Sequence, residues 1–314
     1  MKLAIESIRL SSFARSYRNA FRSGHGGRVG RLSQLAWRIR FYFHEWTGLG
    51  GREPFALTLD IRGESKTLHL NGRNRQTRCV YFSIFDDGYE VPVAMTIDRF
   101  LPDDGVFLDV GSNWGYFTLL VSSQASYRGT IHAFEPMPGS YADLVSVTGE
   151  AGTGKWVETH QMAVGDRQGT VRMKDTRHSA LAHVTDSEKG VEVPSGTIDQ
   201  FEWDRIDVIK IDTEGYELAA LQGAARSIDR CRPVIVFENE TRNRSAESLA
   251  PLRFLEERGY LLYRPEILSG ELAFHPVLSG ERDRHPPYAN LVAIPEEHPD
   301  APERETPSTN GEPV

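Results

Sequence analysis

Two rhythms of apolar and polar positions run along this chain. From Gly105 onward, short apolar runs at 106–110, 130–134, 157–164, 207–211 and 234–237 predict buried strands. Between them, 116–122, 141–147, 217–227 and 246–258 read as helices, and 260–263 and 290–294 as two last strands. Strands that are apolar throughout, alternating with helices, predict an α/β fold with a parallel sheet covered on both faces. Residues 171–193 break the alternation and read as a hairpin or an irregular insertion.

Upstream of Gly105 the rhythm is different. Leu57, Leu59 and Ile61 alternate with polar residues, then Leu68 and Leu70, then Val80, Phe82 and Ile84. Gly63 and Asn71-Gly72 punctuate them as turns, so 56–85 reads as a small β-rich segment. A short helix over 91–101 stops before Pro102. Further back, Leu32, Leu35, Ala36, Ile39, Phe43 and Trp46 fall at helical spacing. Up to Arg40 the chain carries Lys2, Arg9, Arg15, Arg18, Arg22, Arg28, Arg31, Arg38 and Arg40 against Glu6 alone. A basic amphipathic helix of this kind either docks on its own catalytic body or touches an anionic membrane or a protein partner through residues 1–46. Residues 295–314 are acidic and proline-rich and read as a disordered tail. The resulting division is 1–101, an N-terminal basic helix with a small β-rich segment; 102–294, the main domain; and 295–314, the tail.

Charge and cysteine content narrow the partners. A net charge of −8 argues against nucleic acid held by the whole surface. Cys79 and Cys231 are the 2 cysteines, and their spacing suggests no metal site. A reduced, cytoplasmic setting is expected, with no secretory leader. No apolar run approaches the roughly 20 residues of a membrane-spanning helix.

In an open α/β sheet, ligands bind beyond the carboxyl ends of the strands. After the first strand of the main domain comes Asp109-Val110-Gly111-Ser112-Asn113-Trp114-Gly115. Gly111 permits a sharp turn and Gly115 a close approach of the next helix. A nicotinamide loop would need a glycine where Asn113 and Trp114 stand, to admit a pyrophosphate. A carboxylate beside the loop suits a cationic ligand better, and S-adenosylmethionine carries an amino group, a sulfonium and no phosphate. After the second strand comes Glu135-Pro136, an acid placed to accept the two ribose hydroxyls of a nucleoside. Gly149–Lys155 imitates a phosphate loop. It follows a helix and precedes a strand, the wrong order for one, and Trp156 replaces the Ser or Thr that would meet Mg²⁺.

The ordered set of motifs resembles the FkbM family of S-adenosylmethionine-dependent methyltransferases. The matching stretches are residues 107–118, 133–137, 161–166 with Gly169, 197–199, 207–217 with Leu221 and Gly223, and 233–238. The resemblance implies a class I methyltransferase (Rossmann-like) fold, S-adenosylmethionine as cofactor, and O-methylation of hydroxyls on sugars, glycans or natural products. It assigns Asp109, Gly111, Asn113 and Gly115, with Ser112 between them, to the methionine end of the cofactor. It also puts Glu135 and the adjoining Pro136 at the ribose, Ala163 and Asp166 at the adenine edge, and Asp212 beside the transferring methyl.

Methyl transfer to an alcohol needs orientation and benefits from a base. Lys210, Asp212 and Glu214 supply three ionisable groups at the fourth strand tip, with Lys210 and Asp212 on one face. His178 and His183 in the insertion are rival bases near the acceptor, and Glu238 is a further acceptor contact. Asp212, Glu238 and Asn239 are the candidate oxygen ligands for a divalent metal. Two other functions stay open: a nicotinamide-dependent oxidoreductase, and a catalytically idle binding module on the same fold.

Overall fold

The computed structural model describes residues 4–9, 55–72, 74, 76–77, 89–174, 183–184, 190–239, 249–277 and 289–302. The expected helix over 32–46, the run 80–84 and His178 lie outside the described residues.

Eight strands form the central sheet. They are β4 (Val106–Val110), β5 (Thr130–Phe134), β6 (Val157–His160), β11 (Val208–Ile211), β12 (Val234–Asn239), β13 (Tyr260–Leu268), β14 (Glu271–Pro276) and β15 (Ala289–Pro295), in the spatial order β14-β13-β15-β12-β11-β4-β5-β6. Strands β12, β11, β4, β5 and β6 pair in parallel, and β15 runs antiparallel to both β12 and β13. With β14 set aside and the rest numbered along the chain, the order is 6-7-5-4-1-2-3. The topology reverses between β4 and β11, where open α/β sheets place their ligands.

Alternation decides what each face carries. Phe107, Val208, Val234 and Val236 point to one side, into a cluster with Ile97 and Phe100 of α1 (Val91–Phe100) and Phe117 and Leu120 of α2 (Tyr116–Ser122). Leu108, Val110, Ile209, Ile211, Ile235 and Phe237 point to the other. There they meet α4 (Glu217–Gln222), α5 (Ala225–Cys231) and α6 (Ala250–Glu256). Helix α3 (Pro138–Ala151) joins β5 to β6 and stops at Gly152, whose left-handed φ of 70° ends helices without steric cost.

Two smaller sheets flank this body. β1 (Ala4–Arg9), β2 (Phe55–Ile61) and β3 (Glu64–Leu70) form an antiparallel sheet, and Leu57, Leu59, Ile61, Leu68 and Leu70 enter the same cluster as α1 and α2. The small β-rich segment therefore shares the main core. Arg62 secures it by donating to the carbonyls of Ser122 and Gln124, with its guanidinium 3.7 Å above the Trp156 ring. The insertion forms the other sheet, β7 (Ala163–Val164), β10 (Val191–Gly196), β8 (Gly169–Lys174) and β9 (His183–Val184).

Four expectations need correction. The single strand over 157–164 is two, β6 and β7, because the chain leaves the central sheet after His160 and pairs with β10 instead. The helix over 217–227 breaks at Gly223, where a Cβ would lie 1.8 Å from the Gly165 carbonyl oxygen. β13 runs on past Tyr263 and turns through Ser269-Gly270, both at positive φ, into β14. The reading of 295–314 as disordered fails for 295–302. Glu297 accepts from Arg232, and Tyr263 donates to the Pro302 carbonyl.

Candidate active site

The loop between β4 and α2 is built on close approaches. Gly111 takes φ +77°, and a Cβ there would lie 1.8 Å from the Asp212 carbonyl oxygen. Gly115 takes φ +91°, and a Cβ would meet Leu144 at 2.5 Å. Asn113 between them also sits in the left-handed region, which asparagine tolerates better than most residues. Trp114 turns into the core and is buried.

Below the loop, Asp109 is fully buried. Its Oδ2 accepts from the Thr118 amide at 3.1 Å and hydroxyl at 2.7 Å, holding the start of α2, and its Oδ1 has no hydrogen-bond partner among the described residues. Glu135, at the tip of β5, accepts from the Asn113 amide at 2.9 Å and the Met137 amide at 2.8 Å. The Asn113 side chain accepts in turn from Asn74 at 2.8 Å, so the flanking segment braces the loop.

An open cleft of about 620 Å³ lies over this point. Gly111, Asn113, Glu135, Pro136, Ala163, Asp212 and Glu214 line it, together with Gln76, Met137, Met162, Met173 and Tyr216, which sequence reasoning missed. The three methionines come from three separate elements and give an apolar wall suited to a nucleobase. Asp109, Ser112, Gly115 and Lys210 stand behind the cleft and support it. Ser112 is buried, its hydroxyl turned to the Phe134 carbonyl. Asp166 is exposed and is not part of the lining. For His183 the structure gives only its place in β9.

At the switch point the register places Lys210 opposite Asp109 on one side and Val236 on the other. Lys210 is only 3% exposed. Its Nζ donates to Asp212 Oδ2 at 3.1 Å and lies 5.0 Å from the Phe117 ring centroid. Burial opposes its charge, but Asp212, Asp109 and Glu90 outweigh burial and hold it above the ordinary lysine range. Glu214 and Gly215 turn through the left-handed region after Asp212, and Glu217 fastens the turn by accepting from Thr213 and Gly215. One carboxylate oxygen from each of Asp212, Glu214 and Glu238 comes within 4.8 Å of the others. Asn239 points to the opposite face of β12 and is buried, so Glu214 takes the place the sequence reading gave it.

Glu90 completes the acidic group and was missed as well. It is the N-cap of α1, at φ 45°, and its Oε2 is buried without a hydrogen-bond partner among the described residues. Its one local signal is Pro92, which marks a helix start. Burial, then the Asp212 charge, pushes Glu90 up to about 7. Burial does the same to Glu135, to about 7, and burial with the charge of Asp212 takes Glu238 to about 8. Burial also raises Asp109. The site crowds carboxylates around one ammonium, and a cation would relieve that crowding.

A pH dependence follows from these shifts. A cationic ligand favours the ionised carboxylates, so its binding is linked to proton release from groups titrating near 7 to 8. Affinity for S-adenosylmethionine is expected to climb from pH 5.5 to 7.5. Calorimetry in buffers of different ionisation enthalpy would register the released protons. A flat profile without proton release would show that these carboxylates do not face the ligand.

The reversed sheet, the glycine loop and the acid at the tip of β5 define a Rossmann-like class I methyltransferase fold. Within it, residues 109–262 match the model of the Methyltransferase FkbM domain, so the resemblance read from the sequence holds over this segment. Together they support an S-adenosylmethionine-dependent methyltransferase. Similar solved structures include a methyltransferase FkbM from Methylobacillus flagellatus KT, at 17% identity and TM-score 0.43, covering 61% of this chain and 44% of that one. This chain thus spans less than half of that relative. Another is an O-methyltransferase from Bacillus cereus in complex with SAH, at 15% identity and TM-score 0.38, covering 64% and 77%. A third is a precorrin-6y C5,15-methyltransferase from Geobacter metallireducens GS-15, at 16% identity and TM-score 0.38, covering 65% and 88%. No curated protein matches the chain. Among the described residues, no helix is long and apolar enough to cross a membrane.

Proposed function

We propose that this chain is an O-methyltransferase that moves a methyl group from S-adenosylmethionine to a hydroxyl of a small molecule or glycan. One observation carries the reading: Asp212, Glu214 and Glu238 converge beside a cleft that Glu135 also lines. The donor chain fits the cofactor's chemistry. Glu135 has one lone pair per oxygen engaged by backbone amides and others left for vicinal hydroxyls. The cluster around Lys210 favours a sulfonium. The bound cofactor supplies an electrophilic methyl, and the protein's task is mostly to align an acceptor oxygen with it.

Asp212 is held by Lys210 and serves as a hydrogen-bond acceptor that orients the hydroxyl. Glu238, held near 8 in the free protein, is better matched to take the proton at neutral pH, because a base works best with a pKa near the working pH. A second reading rests on the same three carboxylates, which make an all-oxygen set for a hard divalent ion. Loss of turnover on chelation with recovery on Mg²⁺ would favour it.

Release of S-adenosylhomocysteine across a panel of sugars and hydroxylated natural products, with amine analogues as controls, tests the proposal. Turnover only with amines would overturn the hydroxyl reading, and no turnover with any acceptor would favour an idle binding module. Binding is tested separately. Glu135→Ala is expected to weaken S-adenosylmethionine by about 1–3 kcal/mol through lost ribose hydrogen bonds. Unchanged affinity in calorimetry would remove Glu135 from the site, and preference for NAD would restore the oxidoreductase reading.

A further inference from the structure

On the face of the sheet opposite the carboxylates, strand register gathers two imidazoles and another carboxylate. β5 and β6 pair in parallel with His132 opposite Glu158 and Phe134 opposite His160. Residues two apart in a strand share a face, so His132, Glu158 and His160 stand together. Nδ1 of His132 lies 3.2 Å from Nε2 of His160. Glu158 brings Oε2 to 3.5 Å from the first nitrogen and Oε1 to 3.8 Å from the second. In a tetrahedral site with bonds of about 2.0–2.2 Å, neighbouring donor atoms are about 3.3–3.6 Å apart. With one Glu158 oxygen as the donor, the three ligand atoms lie within 4.8 Å of one another, and a rotation of the exposed Glu158 side chain closes the gap to that spacing.

The rings are already fixed. Trp203 packs edge-on to His132 at 4.5 Å, Phe134 stacks on His160 at 4.5 Å, and Phe201 meets His160 edge-on at 5.0 Å. The two histidine side chains are 13% and 12% exposed, whereas Glu158 is 63% exposed. One side of the group therefore opens to water, leaving an entry path and room for a fourth ligand. Burial lowers His132 to about 4 and lowers His160 as well, so both rings are neutral at neutral pH, the form that ligates metals.

We propose that His132, His160 and Glu158 bind a divalent transition metal of the zinc class, with water as the fourth ligand. Two imidazoles and one carboxylate suit zinc or cobalt over magnesium or calcium. In the ion-free protein one ring donates its N–H to the other across this gap; on metal binding that proton moves to the far nitrogen of the same ring, and both facing nitrogens become ligands. The site is separate from the methyl-transfer cleft and does not depend on that reading. Its ligands tie the edge strand β6 to β5, and the His160 carbonyl accepts from the Glu135 amide at 3.0 Å. Occupancy would thus stiffen the wall that holds the ribose acid.

The test uses the full chain stripped of metal and titrated with Co²⁺, then Zn²⁺, with Mg²⁺ as the control. One equivalent of Co²⁺ is expected to give the intense visible absorption of a tetrahedral ion, abolished by Zn²⁺. Zn²⁺ at a hundredfold excess over its dissociation constant should raise the melting midpoint by about 5 °C. Glu158→Gln changes an exposed side chain, keeps the fold and should weaken Zn²⁺ at least about tenfold. His160→Gln should abolish the cobalt spectrum. Absence of the spectrum and of the zinc shift in the unaltered protein would overturn the site. So would wild-type zinc affinity in Glu158→Gln and His160→Gln together, which would place the ion elsewhere.

Discussion

Replacing Lys210 by methionine is expected to destabilise the fold by about 3–5 kcal/mol at pH 8, and by clearly less at pH 5. The side chain is buried, and its ammonium is the counter-charge for Asp212, Asp109 and Glu90. Methionine fills much of the same volume against Phe117, so the loss measures the uncompensated carboxylates more than a cavity. The sign of the pH effect comes from proton binding. Burial already raises the folded-state pKa of Glu90 and Asp109 above ordinary carboxylate values. Without Lys210 they rise further, so the folded state binds more protons than the unfolded one and stability falls as pH rises. Below the unfolded pKa values, near 4, the carboxylates are neutral in both states and the penalty fades. Denaturant midpoints from pH 5 to 8 would show a steeper decline for the variant. Equal slopes would mean that Lys210 does not neutralise this cluster.

Glu238→Gln is expected to cut turnover by about 10²–10⁴-fold, far more than it weakens S-adenosylmethionine binding, because the amide keeps the shape but cannot accept the proton. Asp212→Asn should lose about 10²-fold through misorientation of the acceptor. The ranking comes from the pairing: Lys210 donates to Asp212 at 3.1 Å, so one oxygen of that carboxylate is already engaged. For Glu238, burial and then the charge of Asp212 outweigh the attraction of Lys210 and lift it to about 8. Single-turnover rates at saturating acceptor, with pH profiles, would separate the two roles. Near-normal turnover in Glu238→Gln would refute its role as base. Sensitivity of the unaltered enzyme to chelation would instead assign all three carboxylates to a metal.

Much of this molecule was readable before any coordinates. Strands β4, β5, β11 and β12 are compact apolar runs, because burial on both faces leaves no room for alternation. Gly111, Glu135 and Asp212 could be placed because each sits directly after such a strand, and sheet architecture sends strand tips toward the ligand. These are local signals, carried within about ten residues.

Most of what failed or was missed depends on partners distant along the chain. Whether 157–164 is one strand or two was settled by β10, which captures Ala163 and Val164 from some thirty residues downstream. Glu90 joins the site from the far side of α1, and Asn74 reaches Asn113 across 39 positions. Glu214 displaced Asn239 from the acidic group through a left-handed turn and the parity of a strand, neither of which shows in residue type. His132, Glu158 and His160 are unremarkable in the sequence, and only the register of β5 on β6 brings them together. Composition and periodicity determined the sheet and the loop that lines the cleft. The charges gathered beside that cleft were decided by tertiary packing, because electrostatic interaction depends on separation in space and depth of burial, and a linear sequence specifies neither.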